Sequence, residues 1–325
     1  MGTVKAAVET KPNKMSSSAL SLLVLGGIVL LECIIFAVLR PNFLTVRNFT
    51  NIITQMVTLA NMALGITFVL ICAGIDLSLG SIMSVVSVVT GLVLVNTNSV
   101  ALGVLAGLAT GALFGVVNGY IVAYKGVQPF AVTLGTMSIG AGLALILCNG
   151  DAVRGLPEAF DFIGNSKVAG VPFQVIVVVI LTIACYVALH RTSFGVMCFA
   201  SGGNDSAARL SGINVRRIRM LAFVISGVAA AVSAIIATSR ASSGLPTLGV
   251  NNTQMQAIAA AVIGGASLSG GRGSIAGTML GVLFITILYN GANLVGVSPY
   301  VQDLMIGSVI IISAGIDLYR RNKHG

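Results

Sequence analysis

The chain has 325 residues, of which 18 are basic and 9 acidic, is 56% hydrophobic, and has a mean hydropathy of +1.00. Soluble globular domains of this length do not show such values, so an all-α polytopic membrane protein is expected. The formal net charge of +9 then reflects orientation across a membrane, and nucleic acid is a poor explanation for it.

The expected N-terminal tail, 1–18, carries Lys5, Lys11 and Lys14. The apolar run behind it is longer than a signal-peptide core and has no small-residue cleavage pattern after it, so a retained first span is expected. Segments of about 20 apolar residues, enough to cross the hydrocarbon layer as helices, fall at 19–39, 52–73, 77–95, 99–124, 129–148, 171–189, 220–239, 250–266, 274–292 and 300–316. These give about ten spans within a membrane domain over 19–317. Barrel strands would be shorter and would alternate in polarity, whereas lipid favours helices because they satisfy their own backbone groups.

Along the chain, Glu32 in the first span and Asp303 in the tenth are functional candidates, because charge inside a membrane is costly. Asp76, in AGIDLSLGS ahead of the third span, is expected to anchor the start of that helix. In the fourth span Gly103, Gly107, Gly111, Gly115 and Gly119 recur every four residues, a stripe that lets a neighbouring helix approach to backbone contact. The loop 190–219 contains a two-turn helix signal. Gly202 and Gly203 interrupt the chain, Asn204 caps, Asp205 sits in the first turn, Ala207, Ala208, Arg209 and Leu210 follow, and Gly212 stops the helix. His190 is expected to be solvated. The short segment 250–266 is the one expected to be broken or re-entrant.

The run Gly264–Gly281, GGASLSGGRGSIAGTMLG, imitates a nucleotide site. Gly265 and Gly270 have the spacing of a phosphate loop, but Gly271 and Arg272 stand where lysine and a hydroxyl are required. Leu268-Ser269-Gly270-Gly271 spells part of an ATPase signature and is read as coincidence, because that signature acts only with a phosphate loop. Gly264, Gly265, Gly270, Gly271 and Gly273 are instead expected to form a tight cytoplasmic turn, with Gly277 and Gly281 packing closely beyond it. A short C-terminal tail, 318–325, closes the chain.

With the N-terminus inside, thirteen basic residues fall on the inner side and five (Arg40, Arg47, Arg154, Lys167, Arg240) on the outer, so both termini are expected in the cytoplasm. Cys33, Cys72, Cys148, Cys185 and Cys198 have no C-x-x-C spacing, and neither a disulfide framework nor a metal site is expected. No catalytic constellation is present. The in-membrane polar residues are mainly uncharged, and Asn61, Asn118, Gln254, Asn290, Asn293 and Gln302 are the candidate solute path. Amides exchange hydrogen bonds with a hydroxylated solute without demanding a counter-charge, although each alone is more often helix-to-helix glue.

GIDLSLGS at 74–81, GGNDSAARLSGINV at 202–215, and GGASLSGGRGSIAGTMLGV at 264–282 followed by NGANLVGVSPYVQ at 290–302 together resemble the permease subunit of bacterial ribose-type sugar ABC importers. PNFLTVRNFTNI at 41–52 belongs to the same resemblance, which covers nearly the whole chain. It implies a multi-pass inner-membrane subunit that performs no chemistry and binds no cofactor of its own, with ATP and magnesium held by a cytoplasmic ATPase. The other implied partners are a periplasmic sugar-binding protein and a second copy or paralogue of the permease, all set in membrane lipid. By motif, Gly203, Asn204, Ala207, Ala208, Arg209, Leu210 and Gly212 would contact the ATPase. A branched-chain amino acid permease of the same superfamily and an ion-coupled secondary transporter are the alternatives. A membrane enzyme has least support.

Overall fold

The computed structural model describes residues 17–249 and 252–324, with side-chain surroundings for 20–249 and 252–315. Lys5, Lys11 and Lys14 lie outside these residues. In chain order the elements are α1 (Ser17–Leu39), a 3-10 turn (Pro41–Leu44), α2 (Val46–Ile71), α3 (Leu79–Thr97), α4 (Val100–Lys125), α5 (Pro129–Leu147) and α6 (Glu158–Asn165). A hairpin of β1 (Lys167–Val168) and β2 (Val171–Pro172) follows, then α7 (Phe173–His190), α8 (Ser193–Gly203), α9 (Asp205–Leu210), α10 (Val215–Ala241), α11 (Thr253–Ile263), α12 (Ile275–Val295) and α13 (Pro299–His324).

Eight of these helices, α1 to α5, α7, α10 and α12, are long and apolar enough to cross a membrane. The other two expected spans fall on α11 and α13. Local chemistry sets many of the ends. Thr45, Ser99 and Ser274 accept backbone N–H groups of the first turns of α2, α4 and α12 on their hydroxyls. Pro129 opens α5, and Gly126 and Gly296 close α4 and α12 in the left-handed region.

α10 is the centre of the bundle, packed on α2, α3 and α4. The glycine stripe of α4 explains how closely. A Cβ at Gly111 would stand 2.4 Å from the Gly227 carbonyl oxygen, and one at Gly115 2.5 Å from that of Phe223. Gly103 packs against Leu94 of α3, and Gly107 against Thr90 of α3 and Ile235 of α10, while Gly119 meets Met220 of α10. The two backbones therefore touch over several turns, which no larger residue permits.

Several elements depart from the sequence reading. The all-α class holds apart from the β1–β2 hairpin, which with α6 fills the connection between α5 and α7. α6 is docked by Phe160, which is 1% exposed, and by Gly164, whose N–H donates to Ser239 Oγ of α10 at 2.8 Å. Helix α8 occupies a stretch expected to be loop, and Gly202 and Gly203 form its last turn. Glycine is needed at 202 because a Cβ there would lie 1.7 Å from the Ile71 carbonyl oxygen, so close approach rather than a chain break explains it.

Two spans are broken. The chain turns at Cys72–Ala73 after α2 and runs without regular structure to Ser78, where α3 begins. Asp76 on this stretch accepts from Ser226, the twelfth residue of α10, about 16 Å along that helix. α3 therefore starts inside the bundle, beside the second quarter of α10, rather than at the end where α10 begins. Beyond α10, residues 242–249 descend beside α3: Leu245 N–H donates to Ser87 Oγ at 2.9 Å and Gly249 N–H to Ser84 Oγ at 3.1 Å. α11 then completes the crossing in 11 residues, about half the hydrocarbon thickness. The expected break at 250–266 is present; the matching break before α3 is an addition.

Candidate coupling junction and solute path

At the end of the bundle where α8 and α9 lie, the three sequence motifs converge. α9 has six residues, and its start is fixed by Asn204, whose side-chain oxygen accepts Ala207 N–H at 3.0 Å. Gly212, at φ +81, takes the chain out of the helix. Asp205 receives Arg209 Nε at 2.6 Å on one carboxylate oxygen and Arg219 Nη1 of α10 at 3.2 Å on the other. The hydrogen bond from Arg209 is the main cause that holds the Asp205 carboxyl below the usual carboxylate range, with the Arg219 charge adding to it. α9 is thereby tied to the central helix.

The glycine run packs against the other side of this junction. Gly271 N–H donates to the Ile71 carbonyl at 2.9 Å, and a Cβ at Gly270 would meet Ala73 and the Gly202 carbonyl at 2.7 Å each. Gly265, Gly270, Gly271 and Gly273 all have positive φ, so the tight turn needs them. Gly264 and Gly277 touch backbone to backbone, and Gly281 packs on the Ala260 carbonyl. His190, exposed but not solely solvated, accepts Ile275 N–H on Nε2 at 3.4 Å.

The proposed contact residues divide by exposure. Gly203, Asn204, Ala207, Arg209, Leu210 and Gly212 are exposed, and Leu210 is 90% exposed. Ala208 is 4% exposed and faces the protein, so it supports α9 from beneath and is unavailable to a partner. Helical periodicity explains the difference, since a short docked helix must bury one face.

Above the junction lies a buried polar network. Asp76 Oδ1 accepts Ser78 N–H at 3.0 Å and its hydroxyl at 2.5 Å, and Oδ2 accepts the Ser226 hydroxyl at 2.9 Å. Asn118 of α4 donates to Ser78 Oγ at 2.9 Å. The expected anchoring role of Asp76 at the start of α3 matches this geometry, and Arg219 and Ser226, seven residues apart, put both tethers on one face of α10. A cavity of about 210 Å³ is lined by Ala73, Gly74, Gly126, Gln128, Arg219 and Phe223 among others.

The six candidate path amides do not form one lining. Asn290 exchanges two hydrogen bonds with Asn48, at 2.9 and 3.0 Å, joining α12 to α2. Asn293 accepts from Gln302 at 2.7 Å, and Gln302 also donates to the Val297 carbonyl. These three tie helices together at the end opposite α9. Asn118 spends its NH2 on Ser78. Among the described residues Asn61, fully buried, has no partner on either amide atom, and Gln254, 8% exposed, has none on Oε1. Of the acids, Asp303 is exposed, while Glu32 is buried with both oxygens unpartnered. All five cysteines are free, and among the described residues no His, Cys, Asp or Glu cluster suits a metal.

Residues 48–314 match the family described as branched-chain amino acid transport system / permease component. The chain is 39% identical over 304 residues to the ribose import permease protein of Escherichia coli strain K12, with 92% of each chain covered. It is 33% identical to the L-arabinose ABC transporter permease protein of Azospirillum brasilense, covering 92% of this chain and 88% of that one. It is 34% identical to the D-allose transport system permease protein of Escherichia coli strain K12, covering 87% of each. No solved structure matches the chain.

Proposed function

The chain belongs to the branched-chain amino acid transport system permease family, and on that premise we propose that it carries a sugar or polyol across the inner membrane in a complex driven by a separate ATPase. It is a multi-pass ABC permease subunit, and its relatives import ribose, arabinose and allose by name. The α9 end is its cytoplasmic face, in keeping with Lys125, Arg191, Arg209, Arg216, Arg217, Arg219 and Arg272 at that end. A periplasmic binding protein delivers the solute to the opposite end, and a second copy or paralogue completes the membrane unit. ATP and magnesium stay on the ATPase.

The observation that carries this reading is α9 itself. Six residues are too few for a stable isolated helix, yet α9 is capped, doubly ion-paired and presents Leu210 at 90% exposure. An apolar side chain held out from a rigid tether is suited to a cleft on the ATPase. When ATP draws two ATPase subunits together, the load passes from α9 through Asp205 and Arg219 into α10, and the bundle alternates between outward and inward openings.

The test is reconstitution in vesicles with the ATPase and the binding protein. Leu210→Glu is expected to lose most solute-stimulated ATP hydrolysis while membrane insertion and thermal unfolding match the wild type, because the side chain is almost wholly exposed. Unchanged stimulation sinks the assignment of α9. Uptake of labelled leucine in place of sugars would establish the amino acid branch of the family.

A further inference from the structure

Two helices begin inside the bundle rather than at its ends, and their starts meet. α3 and α11 are each preceded by non-helical chain, and each lacks a side-chain cap. The Gly80 and Gly249 backbones touch at the crossing, since a Cβ on Gly249 would lie 1.8 Å from the Gly80 carbonyl oxygen and one on Gly80 2.4 Å from that of Gly249. Gln254, in the first turn of α11, leans into the same point. Its Oε1 would lie 2.7 Å from a Gly80 Cβ, and this oxygen is buried without a partner among the described residues. Beside it Asn252 is exposed, in left-handed conformation. Non-helical backbone inside a membrane domain is tolerated only where it is buried in protein or lines a water-filled passage, so the crossing faces away from lipid.

We propose that this crossing is a solute station within the membrane domain, in which Gln254 Oε1 accepts a hydroxyl of a neutral sugar or polyol while first-turn N–H groups of α3 and α11 donate to its oxygens. The inference rests on the permease reading and deepens it. A hydroxyl is donor and acceptor at once, which suits a lone amide oxygen facing helix-start donors. Anions are disfavoured because the Asp76 carboxylate stands just ahead of α3. Ammonium groups are disfavoured because both Asp76 oxygens are already engaged. The same chemistry argues against an amino acid at this point. Glycine at 80 and 249 is required, since any side chain would fill the crossing.

The test uses the complete importer in vesicles and a panel of 14C-labelled pentoses, hexoses and pentitols with their singly deoxygenated analogues. For one hydroxyl position the wild type should prefer the parent over the deoxy analogue by about tenfold, the worth of one buried hydrogen bond. In Gln254→Met that preference should fall to about one, with the other positions unaffected. A variant that keeps the full preference overturns the station, and a uniform loss across the panel marks Gln254 as merely structural and overturns it too. Should Gln254→Met fail to insert, thiol labelling of Asn252→Cys gives the second reading: the transported sugar should slow it by about threefold or more, and an unchanged rate overturns the proposal. Failure of the wild type to import any sugar on the panel would instead defeat the permease reading.

Discussion

At Asp76 one carboxylate accepts three hydrogen bonds in a fully buried setting, two from Ser78 and one from Ser226. Removing it strands those donors, and each buried unsatisfied group costs about 1–3 kcal/mol. Asp76→Ala is therefore expected to destabilise by several kcal/mol, read as a lowered thermal-unfolding midpoint in detergent. Asp76→Asn should cost much less, because its oxygen can still accept from Ser78 and its NH2 can donate to Ser226 Oγ. Equal losses for the two would show that the network is unimportant. The sequence indicated an anchor at this position from its place just ahead of an apolar run. It gave no sign of Ser226, 150 residues away, because a helix face records only that it is buried and not what lies against it.

The α4 stripe and the central α10 are the element-level counterpart. Five glycines at four-residue spacing announce a close helix contact, and in the structure three of them, Gly111, Gly115 and Gly119, sit against α10 backbone. Because the obstructing atom at Gly111 is the Gly227 carbonyl oxygen, no side-chain rotation relieves a clash there. Gly111→Ala should cost about 1–3 kcal/mol through overpacking, while Gly135→Ala on α5, with open space around it, should be neutral or better. Comparing unfolding midpoints of the two variants checks this. α8 and α6 were not legible. α8 ends in a Gly-Gly pair that ordinarily stops a helix, and α6 is a short element whose stability comes from docking Phe160 and Gly164 against α10.

For the whole molecule, the sequence predicts which end faces the cytoplasm and the structure says which residues share that end. A cysteine introduced as Leu210→Cys should react with a membrane-impermeant thiol reagent in inside-out vesicles and not in intact cells stripped of their outer membrane. The reverse pattern would invert the topology and remove the ATPase from α9. The same end gathers the α2–α3 turn, the α8–α9 corner and the glycine run, three motifs spread over some 200 residues. Their adjacency explains why a run that imitates a nucleotide site is built so tightly: Gly202, Gly270 and Gly271 leave no room between the chains for a phosphate, only for backbone.

Composition, span-length apolar runs and the distribution of Lys and Arg by themselves determined a helical, multi-pass protein and its expected orientation, because lipid permits few alternatives to helix and charge is costly inside it. Local residues likewise determined the α9 cap and the break near α11. Only the tertiary structure decided which amides are free. Asn48 and Asn290, or Asn293 and Gln302, look as available in sequence as Gln254 does, yet the first four bond to each other across helices, whereas among the described residues the Gln254 side-chain oxygen has no partner. Hydrogen-bond satisfaction is a property of pairs brought together by packing, so no single residue's neighbours in the chain can reveal it.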